Sequence, residues 1–214
     1  MAQIVPGILT ADEDEYQKKL RLAEHSASLI QIDIVDGKFS ANKTVGIDTV
    51  AKFVSSSSLE IQLMVEKPTF YLNDLVKLDF VSRIIFPFET NDDIGAAIYT
   101  IRKSQKQAGI SLNPETPLIS AMHFFDDVDL LLLMTGKPGY SGQKLGSQTY
   151  SRIIEAKKLA PSLPLEIDIG VNFENAAKLA KSGADFLVAS SALFNTPDFN
   201  GAYCKLAKLA EVRT

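Results

Sequence analysis

Two aspartates interrupt apolar runs in this 214-residue chain. Asp33 stands in Gln31-Ile32-Asp33-Ile34-Val35-Asp36-Gly37, and Asp168 stands in Glu166-Ile167-Asp168-Ile169-Gly170. A carboxylate in an apolar strand costs desolvation unless it has partners or a task. Two of them on either side of one pocket suit proton transfer at a carbon held between, one as acid and the other as base. Alternate residues of a strand share a face, so Gln31 points with Asp33. In Glu60-Ile61-Gln62-Leu63-Met64-Val65 the same rule puts Gln62 with Met64. A buried glutamine is as often a hydrogen-bonded core amide as a ligand contact. Asp36-Gly37 reads as a turn.

A second chemistry lies in Lys137-Pro138-Gly139-Tyr140-Ser141-Gly142-Gln143-Lys144. A loop of small residues can offer backbone N–H groups to a phosphate. Alone the motif is weak, but Gly170 and Ser190-Ser191 follow two later apolar runs. The predicted phosphate grip is therefore Gly139, Tyr140, Ser141, Gly142, Gly170, Ser190 and Ser191.

The elements that must hold these residues follow from hydrophobic spacing. Apolar runs occur at Ile4–Leu9, Leu29–Val35, Leu59–Val65, Val81–Phe88, Ile110–Leu112, Val128–Met134, Leu165–Ile169 and Phe186–Ala189. They are rich in Ile, Leu and Val without strict alternation, as strands covered on both faces should be. Between them run segments of helical spacing, such as Tyr16-Leu20-Ala23 and Ile153-Ala156-Leu159. Thr10 or Asp12 can cap the first helix, and Asn172 with Glu174 can open the seventh. Gly109 and Gly183 fall where a left-handed helix cap is wanted. Eight βα units without a composition break predict an α/β fold, a single (β/α)₈ TIM barrel domain over residues 1–214. In such a barrel the strand ends that carry Asp33, Met64, Met134 and Asp168 form the working face.

Bulk composition excludes several alternatives. A hydrophobic fraction of 46% and a charged fraction of 22% are those of a globular protein. A net charge of −4 carries no basic footprint, so no nucleic acid partner is expected. The run Leu130–Met134 is far too short to span a bilayer, and Met1-Ala2-Gln3-Ile4 does not open a signal peptide, so no membrane partner and a cytoplasmic setting are expected. The single cysteine, Cys204, forms no internal disulfide and, with Tyr203, Leu206 and Leu209 around it, reads as a packed thiol.

The chain resembles the ribulose-phosphate 3-epimerase family, in order and over nearly its whole length. The resemblance is carried by Pro6-Gly7-Ile8-Leu9-Thr10-Ala11-Asp12, Ile32 to Phe39, Leu63-Met64-Val65-Glu66-Lys67-Pro68, Leu112 to Pro117, Asp127-Val128-Asp129, Pro138 to Lys144, Glu166-Ile167-Asp168, Ser182-Gly183-Ala184-Asp185 and Ser191-Ala192-Leu193-Phe194. It implies a barrel of the ribulose-phosphate-binding type, a phosphorylated sugar as partner, and inversion of a carbinol centre by two aspartates, here Asp33 and Asp168. Family members often form oligomers, so a homo-oligomer is consistent with the resemblance.

The family also implies a divalent metal held by two histidines and these two aspartates. Both histidine positions are glutamine here, Gln31 and Gln62, while His25 and His123 fall elsewhere. Neutral amides are poor ligands for Zn²⁺ or Fe²⁺. The expectation is no metal and no cofactor, with a weak divalent ion at Asp33 and Asp168 left open. Further departures are Gly7 for a serine, Val35 for a methionine, Pro87 for a histidine, and Ile169 and Ser190 for glycines. Function is thus read as a metal-independent isomerase or epimerase of a ketose phosphate. Asp33 and Asp168 are its catalytic pair, and Gln31, Gln62, Met64 and Met134 its substrate contacts. The alternative is a non-catalytic sugar-phosphate-binding barrel, a pseudoenzyme.

Overall fold

The computed structural model describes residues 1–211 and shows a closed barrel of parallel strands in the order β1 to β8. The strands are β1 Gln3–Ile8, β2 Leu29–Val35, β3 Ser58–Met64, β4 Val81–Pro87, β5 Gln107–Leu112, β6 Leu130–Met134, β7 Leu165–Asp168 and β8 Phe186–Ala189. The intervening helices are α1 Glu13–Glu24, α2 Ile47–Lys52, α3 Pro68–Leu75, α4 Ile94–Lys103, α5 Leu118–Ala121, α6 Thr149–Leu159, α7 Ala176–Ser182 and α8 Ser191–Phe194, and α9 Phe199–Ala210 closes the chain. The predicted TIM barrel is the fold observed. No helix among the described residues is long and apolar enough to cross a membrane.

Two apolar layers result from the strand alternation. Outward-facing side chains such as Ile30, Ile32, Leu63, Ile84, Leu131 and Ile167 form the main core against the helices. Inward-facing Val35, Met64, Ile85, Leu130, Leu132 and Met134 form a second cluster inside the barrel. The same alternation turns Gln31, Asp33, Glu60, Gln62, Arg83, Glu166 and Asp168 away from the apolar mantle, and all are buried.

Several local expectations are settled. Asp12, not Thr10, caps α1, its side chain accepting from Glu15 N at 2.7 Å. Gly183 takes φ 120° as the cap of α7. Gly109 does not cap a helix: it lies within β5, where a Cβ would stand 2.8 Å from Ile85 Cγ1, so its role is close packing. The left-handed turn after α4 is made by Gln105 at φ 63°. Asn172 does not open α7 either. Its side chain accepts from Glu174 N and Asn175 N in a local turn, and the helix begins at Ala176. Cys204 is exposed rather than packed, because α9 buries Phe199, Ala202, Leu206 and Ala210, and position 204 falls off that stripe.

Candidate active site

Register brings the site together. Asp33 and Gln62 are Cα partners across β2 and β3, and Met134 and Asp168 are partners across β6 and β7. The Asp33 backbone is held from outside by Thr44, whose hydroxyl donates to Asp33 O at 2.7 Å and accepts from Val35 N at 2.9 Å. Asp168 ends β7, and its Oδ1 accepts from Ile169 N at 2.7 Å.

The two amides connect the two acids. Gln31 Nε2 donates to Asp33 Oδ1 at 2.8 Å and lies 2.8 Å from one end of the Gln62 amide. The carboxylates decide which end that is. With its nitrogen turned toward the barrel axis, Gln62 donates to Asp168 Oδ2 at 3.0 Å and to Asp33 Oδ1 at 3.1 Å. Gln31 Oε1 is buried without a hydrogen-bond partner among the described residues. Asp33 and Asp168 therefore converge on one amide near the axis.

Burial, with Asp168 beside it, holds the Asp33 carboxyl well above the usual carboxylate range. Burial pushes Asp168 up to about 6, against the lowering hydrogen bonds from Ile169 N–H, Gln31 and Gln62. Two buried carboxyls of raised proton affinity on either side of one amide are a setting in which acid and base roles can divide.

A cavity of about 30 Å³ opens above the acids. Asp33, Asp168, Met64 and Met134 line it, together with every residue of the predicted grip: Gly139, Tyr140, Ser141, Gly142, Gly170, Ser190 and Ser191. Gln31 and Gln62 are not among its lining residues. They lie fully buried against the carboxylates, so their amide hydrogens serve the acids rather than the opening. Gly139, Gly142 and Gly170 all have φ between 75° and 83°, a left-handed conformation that glycine adopts without steric cost. Asn42 Nδ2 donates to Gly139 O at 2.6 Å and Ser40 Oγ to Pro138 O at 2.8 Å, which ties the grip to the loop after β2.

Sequence reasoning missed two features. Beneath the acids, Arg83 Nη1 donates to Glu60 Oε2 at 2.7 Å and stands 3.4 Å from Glu166 Oε2. Burial raises both glutamates, Glu166 well above its usual range with Glu60 adding to the effect. Glu60 and Glu166 were visible as charges in apolar runs, but nothing in the sequence paired them with Arg83. The second feature is the apolar rim of Leu9, Ile169, Val171 and Val188.

The donor set does not fit the transition metal that the resemblance implied. Among the described residues no three His, Cys, Asp or Glu side chains are placed to share an ion. Amide N–H groups point at the carboxylate oxygens that a cation would need.

A model of the ribulose-phosphate 3 epimerase family matches residues 3–194. The chain belongs to the ribulose-phosphate 3-epimerase family. It is 35% identical over 208 residues to the ribulose-phosphate 3-epimerase of Bacillus subtilis (strain 168), covering 92% of this chain and 94% of that one. It is 31% identical over 222 residues to the ribulose-phosphate 3-epimerase of Methanocaldococcus jannaschii, covering 98% and 92%. Among solved structures, 3-hexulose-6-phosphate synthase from Salmonella typhimurium superposes with a TM-score of 0.73 at 14% identity, over 97% of this chain and 98% of that one. Orotidine 5'-phosphate decarboxylase from Pyrococcus horikoshii OT3 does so with a TM-score of 0.69 at 12% identity, over 98% and 100%. These two share the fold.

Proposed function

We propose that this family member is a metal-independent epimerase or isomerase of a ketose phosphate. The observation that carries the reading is the convergence of Asp33 and Asp168 on the Gln62 amide beneath a loop cluster of phosphate-binding character. Proton transfer needs one carboxylate to take a proton from the carbon next to the ketone and the other to return one. Burial raises the proton affinity of both carboxyls, which supports a division of acid and base roles between Asp33 and Asp168. Gln31 and Gln62 hold the acids in register, a positioning role. The grip Gly139–Gly142, Gly170, Ser190 and Ser191 fixes the phosphate, so that binding away from the reacting carbon aligns it with the acids.

The test is exchange of solvent deuterium into a panel of ketose phosphates, followed by NMR, with protein treated with a chelator. Incorporation at the carbon next to the ketone is expected, and Asp33→Asn or Asp168→Asn should lower its rate about 10²–10⁴-fold. If no member of the panel exchanges, the catalytic reading fails.

The predicted grip residues that line the cavity also fit one other reading, a barrel that binds a phosphorylated metabolite without turning it over. It requires a ligand-dependent rise in melting temperature with no exchange.

A further inference from the structure

Ile169 has a backbone conformation that its side chain opposes. Its φ is 79°, in the left-handed region that a β-branched residue rarely enters. The only other non-glycine residue described there is Gln105, which is unbranched and ends a helix. Both backbone groups of Ile169 are pinned: its N–H donates to Asp168 Oδ1 at 2.7 Å, and its carbonyl accepts from Thr135 Oγ1 at 2.7 Å. Its side chain packs on the inner cluster of Val35, Met64 and Met134 and lines the cavity between Asp168 and Gly170. Its Cγ2 occupies the space that a Cβ at Gly136 would need, 2.9 Å from that position, so the absence of a side chain at 136 is what lets the isoleucine fit there. Strained side chains persist where the surroundings over-determine them, and they cluster at ligand sites.

We infer that Ile169 is the specificity-determining residue of this mouth. It narrows the passage from the phosphate grip to the acids, so that the protein takes a phosphorylated ligand slimmer than a pentulose 5-phosphate. The inference rests on the ketose phosphate reading for its ligand class. The free space of about 30 Å³ above the acids admits a water molecule or two beside the Ile169 side chain. The branched side chain at position 169 occupies space that glycine would leave open. Glycine would relieve the left-handed strain but lose the packing on the inner cluster, so the isoleucine keeps its contact at the cost of that strain.

The experiment compares the wild type with Ile169→Gly and Ile169→Ala, using inorganic phosphate and ribulose 5-phosphate as probes in calorimetric titrations. Ribulose 5-phosphate should bind Ile169→Gly at least about tenfold tighter than the wild type, with Ile169→Ala between, while inorganic phosphate binds all three alike. Equal ribulose 5-phosphate affinity in the three proteins overturns the inference. So does a parallel change for both probes, since Ile169 would then act on the grip. Each variant should unfold in one cooperative transition well above the titration temperature, which excludes a folding defect as the cause of an affinity change. Because the readout is binding, absence of deuterium exchange alongside the expected affinities would sink the catalytic reading and leave this inference standing.

Discussion

Asp33 and Gln62 are register partners across β2 and β3, so backbone ladders fix the acid and the amide that serves it relative to one another. Asp168 reaches the same amide from β7. Precision of this kind is what elements supply and loops do not, and it places two buried carboxyls within reach of one donor.

The cost of burying Asp168 has a pH signature. Its carboxyl is pushed up to about 6 in the folded protein, whereas an unfolded aspartate titrates near ~3.9. A raised folded value means that the native state holds the proton more tightly. The contribution to stability is therefore fully present below about pH 4 and is lost as pH rises through about 6. A shift of this size amounts to about 3 kcal/mol. Urea unfolding of the wild type and of Asp168→Asn between pH 4 and 7 checks this: the difference in stability should move by about 2–3 kcal/mol in favour of the variant as pH rises. Identical slopes for the two proteins would refute it.

Restoring imidazoles should restore a metal. With Gln31→His and Gln62→His together, two imidazoles and two carboxylates would face one another across β2, β3 and β7, a donor set suited to Zn²⁺. The double variant, dialysed after exposure to zinc, should retain about one ion per chain by elemental analysis, and the wild type should retain none. Equal zinc in both would show that the amides do not decide the matter.

Sequence and structure agree most where periodicity is strong. Leu29–Val35 and Phe186–Ala189 match as strands residue for residue, because turn-forming Ser-rich, Gly-containing or polar segments bound these short apolar runs on both sides. Strand ends move by one to three residues elsewhere, as at Gln107–Leu112, where polar Gln107 joins the ladder through Arg83. The convergence of Asp33, Gln62 and Asp168 follows from strand alternation once the barrel is known. The Arg83 pairing does not, because the register shift between Leu59 and Glu60 sets Glu60 beside Arg83 on β4, and the approach to Glu166 on β7 spans the interior. Nor does the left-handed backbone at Ile169, since local propensity argues against it and only the pinned neighbours impose it.

Gly142 and Gly170, two of the three glycines of the grip, should differ when given a side chain. At Gly170, φ is 77° and an added Cβ would meet Leu145 N at 2.5 Å, a backbone atom that cannot turn aside. At Gly142, φ is 75° and nothing lies within 4 Å. Gly142→Ala should cost only left-handed strain, about 1 kcal/mol. Gly170→Ala should cost clearly more and weaken inorganic phosphate binding, because the loop must shift. Chemical denaturation with phosphate titration of both variants checks the ranking, and a Gly142→Ala cost equal to that of Gly170→Ala would contradict it.

Arg83 is the cation that makes the lower polar layer tolerable. Its Nη1 serves Glu60 at 2.7 Å, its Nε donates to Gln107 Oε1 at 2.9 Å, and its guanidinium lies 4.6 Å from the centre of the Phe186 ring. Removing one partner of a buried ion pair leaves the other uncompensated, at a cost of about 3–5 kcal/mol. Arg83→Met should approach that loss at neutral pH. The uncompensated glutamates can recover by taking up protons, so the deficit should shrink as pH falls. A further Glu60→Gln change, which removes the charge while keeping the shape, should recover a large part of it. The decisive comparison is the stability of Arg83→Met with that of the Glu60→Gln, Arg83→Met double variant at pH 7. If the second change destabilises further, the layer is held by packing around Arg83 and not by its charge.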